Sequence, residues 1–185
     1  MLASATAAGV VLFVLTAQGV LAAQFAISGI PFTVTSGHLD GTGFEQFGFI
    51  DNMPAGSPNA GDTGGQVFVV VSVIGTAQLS DLCQSINLGG TNLKITAGGG
   101  SSKVNATTLV ADSVDVSGNF VFKNINIGQD ASTFTAVPGV VGPIGDFGQQ
   151  ADTVTIDGLH QVNFATTAAA FTLPNLHLFF DANGC

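Results

Sequence analysis

The sequence predicts a mainly β protein, an antiparallel sheet of sandwich-like kind, preceded by a hydrophobic N-terminal helix. Three observations lead there. From residue 25 onward, apolar and polar residues alternate in short runs such as FAISG and PFTVTSG, the period of half-buried strands. Glycine, asparagine and proline punctuate these runs, with 25 Gly and 6 Pro in 185 residues. By contrast, residues 7–23, AAGVVLFVLTAQGVLAA, form one uninterrupted apolar stretch, and no charge appears before Asp40. The chain therefore divides into an apolar segment over 1–24 and an all-β domain over 25–185.

The opening segment admits two readings. Small residues in VLAA, just before Gln24, suit cleavage of an export signal after Ala22 or Ala23, although the basic stretch that usually opens such a signal is absent. If retained, a helix over residues 2–26 is about 37 Å long at ~1.5 Å per residue, enough to cross a hydrocarbon layer of ~30 Å. Leu2, Val10, Val11, Leu12, Phe13, Val14, Leu15, Val20, Leu21 and Phe25 would then meet lipid or sister helices. Ala3 with Ala7, Ala5 with Gly9, and Gly19 with Ala23 place small residues four apart, which lets helix backbones approach closely in an apolar medium.

In the β domain, GTGFEQFGFIDN brings Phe44, Phe47 and Phe49 close together; with Phe68 they are the candidates to face an apolar ligand. MPAGSPNAGDTGG reads as a loop. QVFVVVSVIG (66–75) is continuous and β-branched, as a central strand is. TAQLSDLCQSI predicts a short helix with Leu79, Leu82, Cys83 and Ile86 on one face. NLKITA, KVNATTLVA, SVDVSG and NFVFKNINIG predict four separate strands, and DTVTIDG, QVNFATT and AAFTLPNLHLFF continue the style. One internal similarity stands out: ADSVDVSG (111–118) and ADTVTIDG (151–158) share a pattern forty residues apart.

Charge narrows the partners. Only 8% of residues are charged, and the net charge is −9, from eleven Asp, the single Glu45, and Lys94, Lys103 and Lys123, with no Arg. Nucleic-acid binding, which needs cations to displace counterions, is excluded as a function class. Attraction to an anionic membrane is equally disfavoured, so any lipid contact must come from apolar burial. Fifteen Phe with neither Trp nor Tyr supply hydrocarbon without a polar handle. Cys83 and the terminal Cys185 predict one disulfide and an oxidising compartment.

Catalytic signatures are scarce. The G-x-S-x-G turn of α/β-hydrolases does not occur. A Ser–His–Asp set could assemble only in space, for instance from Ser57, His160 and Asp157. DGTG and AGDTGG lack the ligand ladder of a calcium loop, and His38, His160 and His177 show no metal spacing with the cysteines. No cofactor or metal is expected, and the three histidines read as structural.

Taken together, LDGTGFEQFGFID, SDLCQSINL, NINIGQDAS, GDFGQQADTVTI and FTLPNLHL resemble a family of small exported actinobacterial proteins defined only as a domain of unknown function. The likeness spans roughly residues 24–185. Members often carry the automatic label "cholesterol esterase" and are often encoded beside a small multi-pass membrane protein, which the resemblance implies as a partner. The function expected from these features is non-enzymatic: a secreted or envelope protein that forms homo-oligomers through its apolar helix and associates with lipid or another apolar molecule. The alternatives are a monomeric secreted lipid- or sterol-binding module with the helix removed, and an esterase.

Overall fold

The structure, a computed structural model, describes residues 26–61 and 63–185. In chain order the strands are β1 (Phe32–Asn52), β2 (Gln66–Ser80), β3 (Leu82–Asn87), β4 (Asn92–Ala97), β5 (Val104–Lys123), β6 (Asn126–Asp130), β7 (Phe147–Thr167), β8 (Ala170–Thr172) and β9 (His177–Asp181). Two 3₁₀ turns, Pro58–Ala60 and Ala131–Thr133, are the helical elements among the described residues. The expected N-terminal helix, with all its named residues from Leu2 to Phe25, lies outside the described residues.

The sheet is antiparallel, as expected, but it closes on itself where a sandwich would have two layers. β1 pairs with β2, β2 with β5, β5 with β7, and β7 returns to β1. The register gives the pitch of this ring. Gly48 faces Val70, Val70 faces Ser113, Ser113 faces Asn163, and Asn163 faces Phe32. One circuit thus comes back to β1 sixteen residues before its starting point. So large a stagger in four strands makes them lie steeply across the barrel axis.

Strands this long must keep apolar residues inward while they bend, and they do so by changing phase. Inward positions run Leu39, then Phe44 on β1; Ala106, then Leu109 on β5; Ile156, then Leu159 on β7. Each odd–even switch spans a residue with positive φ: Gly43 (67°), Thr108 (45°) and Gly158 (63°). A left-handed residue inserts the half-step that returns the next side chain to the interior. At Gly43 nothing larger fits, because an added Cβ would stand 2.5 Å from the Ala136 carbonyl oxygen. These breaks explain why the pattern reads as many short strands: KVNATTLVA, SVDVSG and the start of NFVFKNINIG are all β5, and DTVTIDG with QVNFATT is β7. The similar segments ADSVDVSG and ADTVTIDG lie on these neighbouring strands. Both end at one irregularity, where Ser117 faces His160 but Asn119 faces Asp157.

The helix expected over TAQLSDLCQSI is absent. β2 runs to Ser80, Asp81 turns the corner at φ 52°, and β3 starts at Leu82. Two strands meeting at a one-residue corner reproduce the spacing of a helix face, since Leu79 and Leu82 both turn into the ring core. β3 extends β1 at Thr33–Thr35, β4 pairs with β3, and β9 with β4. The expected disulfide forms there: Cys83 and Cys185 are bonded, with Cα atoms 5.9 Å apart. The Cys185 amide also donates to Ser85 Oγ at 2.9 Å, which fixes the C-terminus to β3.

Two apolar clusters result. One fills the ring. The other lies on the opposite face of β1 and β2, where Phe47, Val67, Val69, Val71 and Val73 pack beneath the segment 131–146 through Ala131, Phe134, Val137 and Val140. Side chains hold this strap. Glu45 Oε1 accepts from the Val137 amide at 2.7 Å, and Gln150 Oε1 accepts from the amides of Thr135 and Ala136 at 2.9 and 3.1 Å.

Candidate functional site

Side chains two apart on a strand share a face. On β1 that places Phe44, Gln46, Gly48 and Ile50 in one line, and on β2 it aligns Ile74, Ser72, Val70 and Phe68 opposite them. Phe44 and Ile74 belong to the ring core. Beyond them comes a polar layer: Gln149 Nε2 donates to Gln46 Oε1 at 2.6 Å, and Gln46 Nε2 donates to Ser72 Oγ at 2.8 Å. Ser113 Oγ donates to Asn163 Oδ1 at 2.7 Å alongside. Past this layer the same face turns apolar again, and no strand among the described residues covers it.

The result is an apolar mouth on the barrel. Ile50, Phe68, Val70, Val114, Pro143 and Phe147 line a groove of about 790 Å³ open to solvent. Phe68 is 78% exposed and Phe147 67%, and Ile144, which follows the lining Pro143 in the chain, is 89% exposed. Gly48 forms part of the floor, where an added Cβ would meet nothing within 4 Å. An open apolar surface rimmed by polar residues is the feature of a soluble domain that most often marks a contact site. The strand QVFVVVSVIG is central in the sheet, as predicted, yet only one of its faces is buried here. Val67, Val69 and Val71 turn under the strap, while Phe68 and Val70 face outward.

The four phenylalanines expected to share a cavity are separated. Phe44, 2% exposed, is sealed in the ring core behind the glutamine layer, and Phe47, also 2% exposed, packs under the strap on the other face. Phe68 lines the groove, and Phe49 reaches its edge while packing, like Phe47, against the strap cluster. Odd and even positions of one strand point to opposite sides, which divides the set. Phe147, Ile144 and Val70 were not singled out by sequence; the apolar Phe147 at the start of FGQQAD was the available signal. Inside the ring, the space left among Phe44, Ile74, Leu109, Ile156 and Asn163 is about 50 Å³. Pockets for drug-sized molecules run to ~300 Å³ or more, so an apolar ligand of sterol size has room at the mouth and not in the core.

The first described residues pair with the end of β1, close to this mouth. Ala26 makes a parallel bridge to Asn52, and the Ile27 amide donates to Asn52 O at 3.1 Å. Asn52 lies two residues from Ile50, and Ile27 itself is buried in the strap cluster.

Titratable groups form separate arrangements. Glu45 is fully buried, and burial pushes its carboxyl up to about 7 against the opposing bond from the Val137 amide. Its Oε2 has no hydrogen-bond partner. Asp112, also buried, is pushed up to about 7 by burial and then by the nearby charge of Asp51, which burial raises as well. Sequence reasoning missed all three; a lone Glu inside the apolar FEQF was the visible hint.

His38 sits between two carboxylates, with Nδ1 2.6 Å from Asp157 Oδ1 and Nε2 2.9 Å from Asp40 Oδ2. The bonds to Asp157 and then Asp40 raise its pKa above the ordinary value. With both ring nitrogens occupied, His38 has no free lone pair to take a proton from a hydroxyl nucleophile. The set Ser57, His160 and Asp157 is not brought together: Asp157 is engaged by His38, and Ser57 Oγ accepts from the Asn59 amide at 3.3 Å as the cap of its turn. Among the described residues, no group of three His, Cys, Asp or Glu side chains is placed to hold a metal ion.

The run FGQQAD acquires a physical meaning here. Phe147 faces the groove, Gly148 admits the Phe134 ring, Gln149 builds the polar layer, and Gln150 holds the strap. Searches of curated proteins and of solved structures return no match. The model of the family described as "Family of unknown function (DUF6230)" matches residues 28–185, and the chain belongs to that family.

Proposed function

We propose that this is a non-enzymatic, exported protein of the cell envelope that associates with lipid or another apolar molecule and assembles into homo-oligomers. One observation carries the reading: the apolar mouth includes Ile50, two residues before Asn52, the bridge partner of Ala26, to which the uncharged apolar sequence 1–25 is joined. Apolar sequence joined so near an apolar mouth is most stable when a single apolar phase takes up both. The disulfide, retained in oxidising compartments, supports export. A small multi-pass membrane protein, implied by the family resemblance, is a partner of matching chemistry. The test is to purify the native protein in mild detergent and measure its mass and lipid content. A species of several chains with bound lipid is expected; a lipid-free single chain starting at Gln24 overturns the reading.

A second reading is favoured by the groove volume alone. With the segment removed, a secreted monomer could hold an acyl chain or sterol against Phe68 and Phe147. The mature N-terminus distinguishes it from the first. Among the described residues, the histidine side-chain hydrogen bonds run from His38 to Asp157 and Asp40 and none to a serine or threonine hydroxyl, and the esterase reading would require ester hydrolysis that a serine substitution abolishes.

A further inference from the structure

We infer that the barrel mouth is a membrane-contact surface: Phe68 and Phe147, with Ile144 next to the lining Pro143, enter the interface of a neutral or zwitterionic lipid layer. The inference rests on the proposed function and adds the residues, the orientation and the lipid class.

Three features fix the occupant as lipid. The first is position. Ala26 bridges Asn52 at the end of β1, two residues on from Ile50, so a preceding segment held in lipid brings the mouth near the same surface. The second is chemistry. Phe68 and Phe147, the most exposed of the lining hydrophobic side chains, are hydrocarbon only, and Ser113 and Asp146 are the polar side chains among the described lining residues, fewer than the hydrogen bonds a protein partner spreads over an interface. The third is charge. Among the described residues, Asp146 is the one charged residue lining the groove, and none of Lys94, Lys103 and Lys123 does so. Basic side chains are what draw a protein to anionic headgroups. Their absence from the groove, with a net charge of −9, selects neutral or zwitterionic lipid.

The chain has no Trp and no Tyr, so a single introduced tryptophan reports its own surroundings. The full chain carrying Phe68→Trp is mixed with phosphatidylcholine vesicles, with and without acyl-brominated lipid. A blue shift and quenching by brominated lipid are expected, both weakened by adding an anionic lipid. Phe147→Ser in the same background should weaken partitioning roughly tenfold, the loss expected for one aromatic side chain. Val121→Trp, exposed on the outer wall of β5 beside Thr155, should not respond. Phe13→Trp tests the segment separately. If Phe13→Trp responds and Phe68→Trp does not, the mouth faces away from lipid: this inference fails and the proposed function stands. If neither responds, both fail. A Phe68→Trp emission already blue-shifted without vesicles, and unmoved by them, means that the chain itself or a second copy covers the mouth, and the inference is overturned.

Discussion

Replacing Glu45 by Gln should alter how stability depends on pH more than stability itself. The carboxyl is fully buried and titrates near 7 in the folded protein, against an ordinary value of 4.5. The folded state therefore holds the proton more tightly than the unfolded chain. That difference stabilises the fold at low pH, is lost as pH rises from about 4.5 to about 7, and is gone above that. Each tenfold difference in proton affinity is worth ~1.4 kcal/mol, so the loss between about pH 5 and about pH 8 comes to about 2.5 kcal/mol. Gln keeps the oxygen that accepts from the Val137 amide but cannot ionise. Its amide group replaces an oxygen that already lacks a partner, so the absolute stability at one pH is a poorer guide than the slope. The assay is urea unfolding followed by circular dichroism, with the disulfide intact, at several pH values across that interval. The slope for Glu45→Gln should be shallower than for the parent by about 2.5 kcal/mol over the interval. Parallel curves for the two proteins would refute the assignment of Glu45 as a buried neutral acid.

Related perturbations follow the same logic. Asp112→Asn removes one of two neighbouring buried acids and should raise stability above about pH 7 by ~1–3 kcal/mol, with little change near pH 5, in the same unfolding assay. His38 adds to the downward trend with pH, because its raised pKa gives stability that is lost as pH climbs through it; His38→Gln should remove that share of the slope. Gly43→Ala forces a side chain into a left-handed backbone against the Ala136 carbonyl, and the urea midpoint should fall by the equivalent of about 2–3 kcal/mol. Cys83→Ser opens a loop spanning 102 positions, which the chain-entropy account values at about 4–5 kcal/mol, and thermal melting should register a loss of that order.

Strand content was legible from alternation, and the disulfide from two cysteines with no competing partner. Strand continuity was not legible, because Gly43, Thr108 and Gly158 shift the inward phase by one residue and imitate the end of a strand. The corner at Asp81 imitated a helix for a related reason: two strand faces meeting there copy a spacing of three and four. Closure of the sheet depends on pairing between β1 and β7, whose register of Phe32 with Asn163 no local pattern contains. The mouth was half visible. Phe68 was singled out for its chemistry, but its separation from Phe44 depends on the glutamine layer, and Gln46 meets Gln149 only in the fold. Glu45 and Asp112 were hidden because nothing in a sequence marks a carboxyl as buried until the strap and the opposing strand are in place.

The central claim is that the segment before Ala26 and the barrel mouth share one apolar environment. Native mass spectrometry of the exported protein, released from detergent, tests it most directly. The account predicts a multiple of the full-chain mass with residues 1–25 retained and lipid adducts attached. A single chain beginning at Gln24, without adducts, would contradict it.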